Sequence, residues 1–271
     1  MKSKGKMSVA VAAVLAAVSL AQAENLVIDG STTVGPIAKA FAEYFMKQRP
    51  DVNVTVSESG SGNGAKSLIN GTCHIATMSR PMKDKEKAAA QESGILPIPT
   101  VVAMDGLAIV VNPANPVQGL TIEQIRAIYA GNIKNWKELG GPDLPIVVVS
   151  RDTNSGTYEC FETLVMKQEK ILGSAEYVGS NGAVRDRVRT TTGAIGYVGL
   201  AFTEGVKPLP VNGVAPKPET VIDKTYPISR PLFMVTNGRP KPGTAVYDFL
   251  MLYRQPDGIK IIEDVGYVPV R

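Results

Sequence analysis

The sequence predicts an α/β protein with a mainly parallel sheet, and three observations carry that prediction. β-type and helical runs alternate along the chain after residue 23. Three stretches, residues 26–36, 54–65 and 146–157, repeat one device: a β-type run, a knot of glycines and hydroxyls, then an amphipathic helix. Hydrophobic residues make up 44% of the chain, ample for a core, with no repeat of fixed period and no low-complexity tract.

The elements follow in order. The first strand leads into Asp29-Gly-Ser-Thr-Thr33, after which Val34, Ile37, Ala38, Phe41 and Phe45 recur at helical spacing. Pro50 ends that helix, because proline disfavours the helical conformation in the residue before it. Val52, Val54 and Val56 alternate as a half-buried strand. A second helix runs from about residue 64 to Asn70-Gly71, a stop signal. Residues 75–79 form a short strand ending in Ser79-Arg80-Pro81, and residues 83–92 a charged, solvated helix. Residues 96–112 are almost continuously apolar, broken at Asp105-Gly106; they read as two buried strands or one with a kink at the glycine. A helix over 120–129, a buried strand over 146–150 and a helix with Tyr158, Phe161, Leu164 and Val165 inward come next. A glycine-rich strand over 193–198, a Pro-rich surface loop or connection over 207–218, a strand within 226–235 and a last helix over 243–254 complete the chain.

The knots carry the chemistry. The first N–H groups of a helix lack partners inside it, and the peptide dipoles leave positive potential there. Glycine lets an anion approach the backbone, and Ser or Thr adds a hydroxyl donor. One such start is an ordinary N-cap. Three in one chain, one beside Arg151, point to a convergent cage for a small oxyanion.

The start of the chain predicts export. Lys2, Lys4 and Lys6 precede an apolar run over residues 7–20, and Ala21-Gln22-Ala23 reads as a cleavage site before Glu24. The run is shorter than the roughly 20 residues of a membrane span. No Cys stands at the cleavage site, which argues for a free periplasmic protein over a lipid-anchored one. Those lysines are the only charges in residues 1–23, so removing them lowers 29 basic against 25 acidic to 26 against 25. A nearly neutral chain lacks the broad basic face that nucleic acid wants. With one histidine, His74, a zinc site is excluded in practice, and no carboxylate cluster has metal-site spacing. Cys73 and Cys160 read as a disulfide or as two free thiols.

Taken together, Asp29-Gly-Ser-Thr-Thr33, Gly60-Ser-Gly-Asn-Gly64, Ser79-Arg80-Pro81, residues 105–112, Arg151 with Ser155-Gly-Thr157, and Gly193-Ala-Ile-Gly-Tyr197 resemble the phosphate-binding proteins of ABC phosphate importers, in the expected order over roughly residues 25–270. The resemblance implies a two-lobed periplasmic-binding-protein fold, type II-like, with a hinge and a ligand cleft. It implies one lobe from residues 24–105 and 201–271 and a second from 106–200. It implies capture of inorganic phosphate by a monomer that delivers it to an inner-membrane ABC permease, with no cofactor. The implied site is Ser31, Thr32, Thr33, Ser61, Arg80, Arg151, Ser155, Gly156 and Thr157. Arg151 would grip the anion with its guanidinium fork.

One position departs from the best-known branch, which carries an aspartate where this chain has Arg80. An acceptor there recognises the proton of monohydrogen phosphate and repels sulfate; burying a donor without an acceptor costs about 1–3 kcal/mol. Arg80 either donates to the anion, leaving a Ser or Thr oxygen to accept the proton, or points away. Asp29, Glu58 and Asp152 are alternative acceptors or orienters of Arg151. Two further functions share the scaffold: binding of sulfate, molybdate or tungstate, and phosphate sensing for a signalling partner. Hydrolysis with Ser155 or Thr33 as nucleophile needs a base or metal cluster that the sequence does not offer.

Overall fold

The computed structural model describes residues 23–270, so the export signal read over 1–23 lies outside the described residues except for Ala23. The elements run β1 (Glu24–Gly30), α1 (Gly35–Gln48), β2 (Val52–Ser57), α2 (Ser61–Ile69), β3 (Ile75–Met78), α3 (Asp84–Glu92), β4 (Pro97–Val111), α4 (Ile122–Tyr129), β5 (Val147–Arg151), α5 (Gly156–Phe161), β6 (Glu176–Val178), α6 (Asn181–Thr190), β7 (Ala194–Gly199), β8 (Lys207–Leu209), α7 (Pro218–Ile222), β9 (Ser229–Asn237), α8 (Ala245–Leu250), α9 (Pro256–Asp264) and β10 (Val268–Pro269).

Local chemistry sets several boundaries. Pro36 opens α1, whose apolar face of Ile37, Ala38, Phe41 and Phe45 is buried, and Arg49 closes it before Pro50. Thr121 caps α4 by accepting from the Gln124 N–H, while the Gln124 side chain accepts from the Thr121 N–H. α2 begins at Ser61, earlier than the glycines predict, because Gly62 and Gly64 lie inside the helix. A Cβ on Gly64 would stand 2.7 Å from the Gly30 Cα and 2.9 Å from the Asp29 carbonyl oxygen, so the glycine lets α2 press onto β1. The 207–218 stretch holds β8, and α6, α9, β6 and β10 are elements the sequence analysis does not resolve.

β4 organises the sheet. It is one strand of 15 residues, and its register shifts between Val101 and Ala103, not at Gly106. Residues 97–106 pair with β9, while residues 107–111 pair with β7 and β8. The full order is β2-β1-β3-β9-β4-β7-β5-β6, with β8 and β10 also on β4. The outer strands at both ends pair in parallel, β1 with β2 and β3, and β5 with β6 and β7. Every pairing of β4 and β9 is antiparallel. The sheet is therefore mixed and not mainly parallel, because the chain crosses between halves on β4 and returns on β9.

Two large cores lie on either side of that crossing. One gathers Leu26, Ile28, Phe41, Phe45, Leu232, Phe249 and Ile262, with a smaller cluster around Leu68, Met78 and Phe233 beside it. The other gathers Leu107, Ile125, Trp136, Phe161, Val184 and Tyr197, and extends through Leu209, Val221 and Ile228. Phe161 stacks on Tyr197 with ring centroids 4.1 Å apart. The two cores make the molecule two-lobed.

Candidate functional site

The site is built where strand ends from both lobes meet. In the first lobe, β1 ends at Gly30, whose φ of +137° only glycine adopts comfortably. The Ser31 N–H donates to the Thr77 carbonyl at 2.9 Å, and the Ser31 hydroxyl oxygen accepts from the Thr33 and Val34 N–H groups. The Gly60 N–H donates to the Gly30 carbonyl at 2.7 Å, so the first two knots lean on each other. The Ser61 hydroxyl accepts from the Ser79 N–H at 3.1 Å and sits 3.3 Å from the Ser79 hydroxyl. Both knots and the end of β3 thus form one block, with Ser31, Thr32, Thr33, Ser61 and Ser79 all buried. Asp29 stands behind that block and accepts from the Ser59 and Ser67 hydroxyls at 2.6 Å each.

The second lobe brings α5 against this block. Ser155 caps the helix by accepting from the Thr157 and Tyr158 N–H groups. The Thr157 hydroxyl lies 2.9 Å from that of Thr33, and the Gly62 N–H donates to the Asn154 carbonyl at 3.0 Å. Gly156 sits so close that a Cβ would collide with the Ser61 hydroxyl and stand 2.7 Å from that of Ser79.

Arg151 ends β5 at 1% exposure. Its Nε donates to the Val178 carbonyl at 3.2 Å and its Nη2 to the Gly179 carbonyl at 2.9 Å. Its Nη1 is buried and has no partner among the described residues. Burial pulls the guanidinium down to about 10, the Arg230 charge pushes the same way, and Asp152 and Tyr197 resist. A buried cation with one unpaired N–H edge is a site prepared for an anion; an unmet buried donor costs about 1–3 kcal/mol.

The structure brings Ser31, Thr32, Thr33, Ser61, Ser155, Gly156 and Thr157 into one interlobe block. The Arg80 side chain does not join them. Its Nη1 and Nη2 grip Glu86 at 2.7 Å each, its Nε faces Glu159 at 2.6 Å, and Nη1 also donates to the Pro81 carbonyl. Burial opposes that charge, and Glu86 and Glu159 override it and raise the guanidinium pKa. Of the two placements open in the sequence, the structure shows the outward one, because carboxylates on α3 and α5 satisfy the fork. Asp29 is likewise spent on hydroxyls, and Glu58 pairs with Lys39.

Sequence reasoning missed four contributors. Asn181, fully buried, donates through Nδ2 to the Thr32 and Thr33 hydroxyls at 3.0 Å each and accepts from the Gly199 N–H. Its signal was legible: Val178-Gly-Ser-Asn-Gly182 is a fourth strand–knot–helix start, with Ser180 capping α6. Arg230 and Asp105 form a buried pair, with Arg230 Nε and Nη2 donating to Asp105 Oδ2 at 2.9 and 2.8 Å. Ser229-Arg230-Pro231 repeats the Ser-Arg-Pro of residues 79–81, an available but unused hint. Ser79 was visible only as part of that triplet.

Both cysteines are free thiols. Among the described residues, no group of three or more His, Cys, Asp or Glu side chains is placed to hold a metal, and no helix is long and apolar enough to cross a membrane. What the site offers is hydroxyls and glycine-lined helix starts converging from two lobes, with buried, unpartnered guanidinium nitrogens on Arg151 and Arg230, which is oxyanion recognition.

Comparison with known proteins bears directly on this geometry. The family model for the PBP superfamily domain matches residues 16–252. The chain is 34% identical over 252 residues to the phosphate-binding protein PstS of Staphylococcus aureus strain USA300, covering 89% of this chain and 76% of the relative. The chain belongs to the PBP superfamily, in the family of the phosphate-binding proteins. Protein SphX of Synechococcus elongatus is 34% identical over 279 residues, covering 96% of this chain and 82% of that one. A substrate-binding protein of Clostridium perfringens, assigned to a phosphate ABC transporter and crystallised with bound phosphate, superposes with a TM-score of 0.84 at 35% identity. That superposition covers 92% of this chain and all of that one. A two-lobed solute receptor is thus what both the family and the sheet crossing describe.

Proposed function

We propose that this phosphate-binding family member captures inorganic phosphate between its lobes and delivers it to an inner-membrane ABC permease. The observation that carries the reading is Arg151: a guanidinium at 1% exposure whose Nη1 has no partner among the described residues, at the end of the strand that leads to the Ser155–Thr157 helix start. Phosphate presents oxygens to such donors in every direction, and charge-assisted bonds in a dry cleft give affinity. Binding and release, without ester turnover, is the activity. The binding set is Ser31, Thr32, Thr33, Ser61, Arg151, Ser155, Gly156 and Thr157, with Arg80 moved from ligand contact to bracing the cleft mouth.

The lobes follow the cores. One comprises residues 24 to about 105 and about 229–271, the other about 106–228, since Val206, Leu209, Val221, Tyr226 and Ile228 pack in the second core. Hinge closure about β4 and β9 then opens and shuts the site. Residues 1–23 act as the export signal, and the mature protein works as a periplasmic monomer without affinity for nucleic acid.

Isothermal titration of the mature chain with phosphate, arsenate, sulfate and molybdate tests the reading. Phosphate and arsenate should bind at micromolar or tighter affinity and sulfate far more weakly; sulfate equal to phosphate would sink the assignment. Arg151→Ala should weaken phosphate at least a hundredfold with the melting curve retained, and unchanged affinity would remove Arg151 from the site.

A further inference from the structure

Arg230 has the same unusual exposure as Arg151, and the binding set proposed above does not use it. It is 3% exposed, its Nε and Nη2 are held by Asp105, and its Nη1 has no partner among the described residues. The placement is specific. Arg230 opens β9 and Asp105 lies opposite it on β4, the two strands that cross between lobes. Asp105 Oδ1 also accepts from the Leu200 N–H at 2.9 Å, just past the end of β7 in the second lobe. From this hinge position Arg230 Nη2 reaches the Thr33 hydroxyl at 3.4 Å.

The Thr33 hydroxyl has three polar neighbours: Asn181 Nδ2 at 3.0 Å, Arg230 Nη2 at 3.4 Å and the Thr157 hydroxyl at 2.9 Å. A hydroxyl oxygen accepts two hydrogen bonds and donates one. The amide and the guanidinium nitrogens are donors only, so between them they take both lone pairs. The Thr33 proton must then point toward Thr157 and the space beside it. Asp105 fixes the guanidinium, and Asn181 is itself fixed through its oxygen by the Gly199 N–H.

We propose that Arg230, held by Asp105, is a positioning residue of the anion site: it fixes Thr33 as an obligatory hydrogen-bond donor. The proposal rests on the phosphate reading above and assigns the hinge pair a part in affinity. In consequence Thr33 cannot accept the ligand proton: its one hydrogen goes to the Thr157 hydroxyl or to an unprotonated ligand oxygen beside it, and the ligand proton is accepted elsewhere.

The test is a double-variant cycle read by titration with inorganic phosphate at fixed pH and salt, using the mature chain. Arg230→Lys keeps a cation against Asp105 but lacks the fork that also reaches Thr33. Thr33→Val removes the hydroxyl. Each single variant should weaken phosphate about tenfold or more, and the double variant should be no more than about threefold weaker than the worse single, because one interaction is lost by either route. Thr33→Ser, which keeps a hydroxyl, should bind within about threefold of the parent and remain sensitive to Arg230→Lys.

Melting curves report folding. Should Thr33→Val fail to fold, Thr33→Ala closes the cycle. Parent-like affinity in Arg230→Lys, or losses that multiply in the double variant, would overturn the proposal. A parent chain that binds no phosphate would refute the phosphate reading itself, which is a different outcome from an intact parent with an indifferent Arg230.

Discussion

Single atoms decide whether this cleft can shut. Gly156 is the sharpest case: a methyl group there would overlap the Ser61 hydroxyl from the opposite lobe. Gly156→Ala should therefore weaken phosphate at least tenfold while leaving each core intact, and small-angle scattering with saturating phosphate should report a larger radius of gyration than for the parent. Cys73 gives a residue-scale effect with a defined sign. Burial, with the Asp29 charge adding to it, raises its thiol from 9.0 to about 12. The unfolded chain therefore releases this proton first as pH rises, and the stability present below pH 9.0 declines through the approach to pH 12. Cys73→Ala should remove about 1–2 kcal/mol of the loss between pH 9 and 10.5, seen by urea unfolding at both values; an identical loss in the variant would refute it. At this scale the sequence was informative about hydroxyls and silent about direction. Thr33, Ser61 and Ser155 were readable because Ser and Thr at helix starts have few other reasons to cluster. Arg80 was not, because its fate depends on Glu86 and Glu159, the second of which reaches it only through the tertiary fold.

Elements here are tuned by close approach as much as by apolar burial. α2 packs on β1 through Gly64, where a Cβ would press against Gly30 and the Asp29 carbonyl. Gly64→Ala raises helix propensity yet should destabilise the protein by about 1–3 kcal/mol through overpacking, measurable by chemical denaturation; a more stable variant would show that the contact yields. The same glycines explain why the second helix begins earlier than its sequence suggests: glycine reads as a loop former, and only the neighbouring strand reveals its use inside a helix. β4 shows the opposite limit. Its apolar run announced burial correctly, but a buried run does not say which partner lies on which side, so the bend was placed at Gly106 instead of between Val101 and Ala103. The antiparallel pairings of β4 and β9 are long-range facts that local alternation of strands and helices does not encode. α6 went unread although Ser180 and Asn181 mark its start.

At the scale of the whole molecule, several of the polar contacts by which the lobes touch lie at the proposed site. Thr33 meets Thr157, Gly62 meets Asn154, and Asn181 spans to Thr32 and Thr33. Ligand-linked closure should raise the melting temperature, and phosphate at a hundred times its dissociation constant should add about 2.7 kcal/mol to unfolding. A shift that failed to grow with phosphate concentration would argue against binding to the folded state. The arrangement also explains why the two-lobed fold was legible as a resemblance: motifs mark the cleft, while packing such as that of Val221, Tyr226 and Ile228 in the second core is a long-range matter that motifs do not encode.

Arg80 now acquires a meaning beyond its own lobe. Together with Lys83 it holds Glu159, a carboxylate carried by the opposite lobe, and the Arg80 and Glu159 side chains are only 5% and 13% exposed. The clasp joins the lobes through side chains that the proposed binding set does not use. Dissolved salt screens the half-exposed Lys83 arm of the latch far more than the buried Arg80 arm, so brine should hasten phosphate escape only modestly in stopped-flow release, whereas Glu159→Gln, which breaks both arms, should quicken escape strongly and blunt its response to brine.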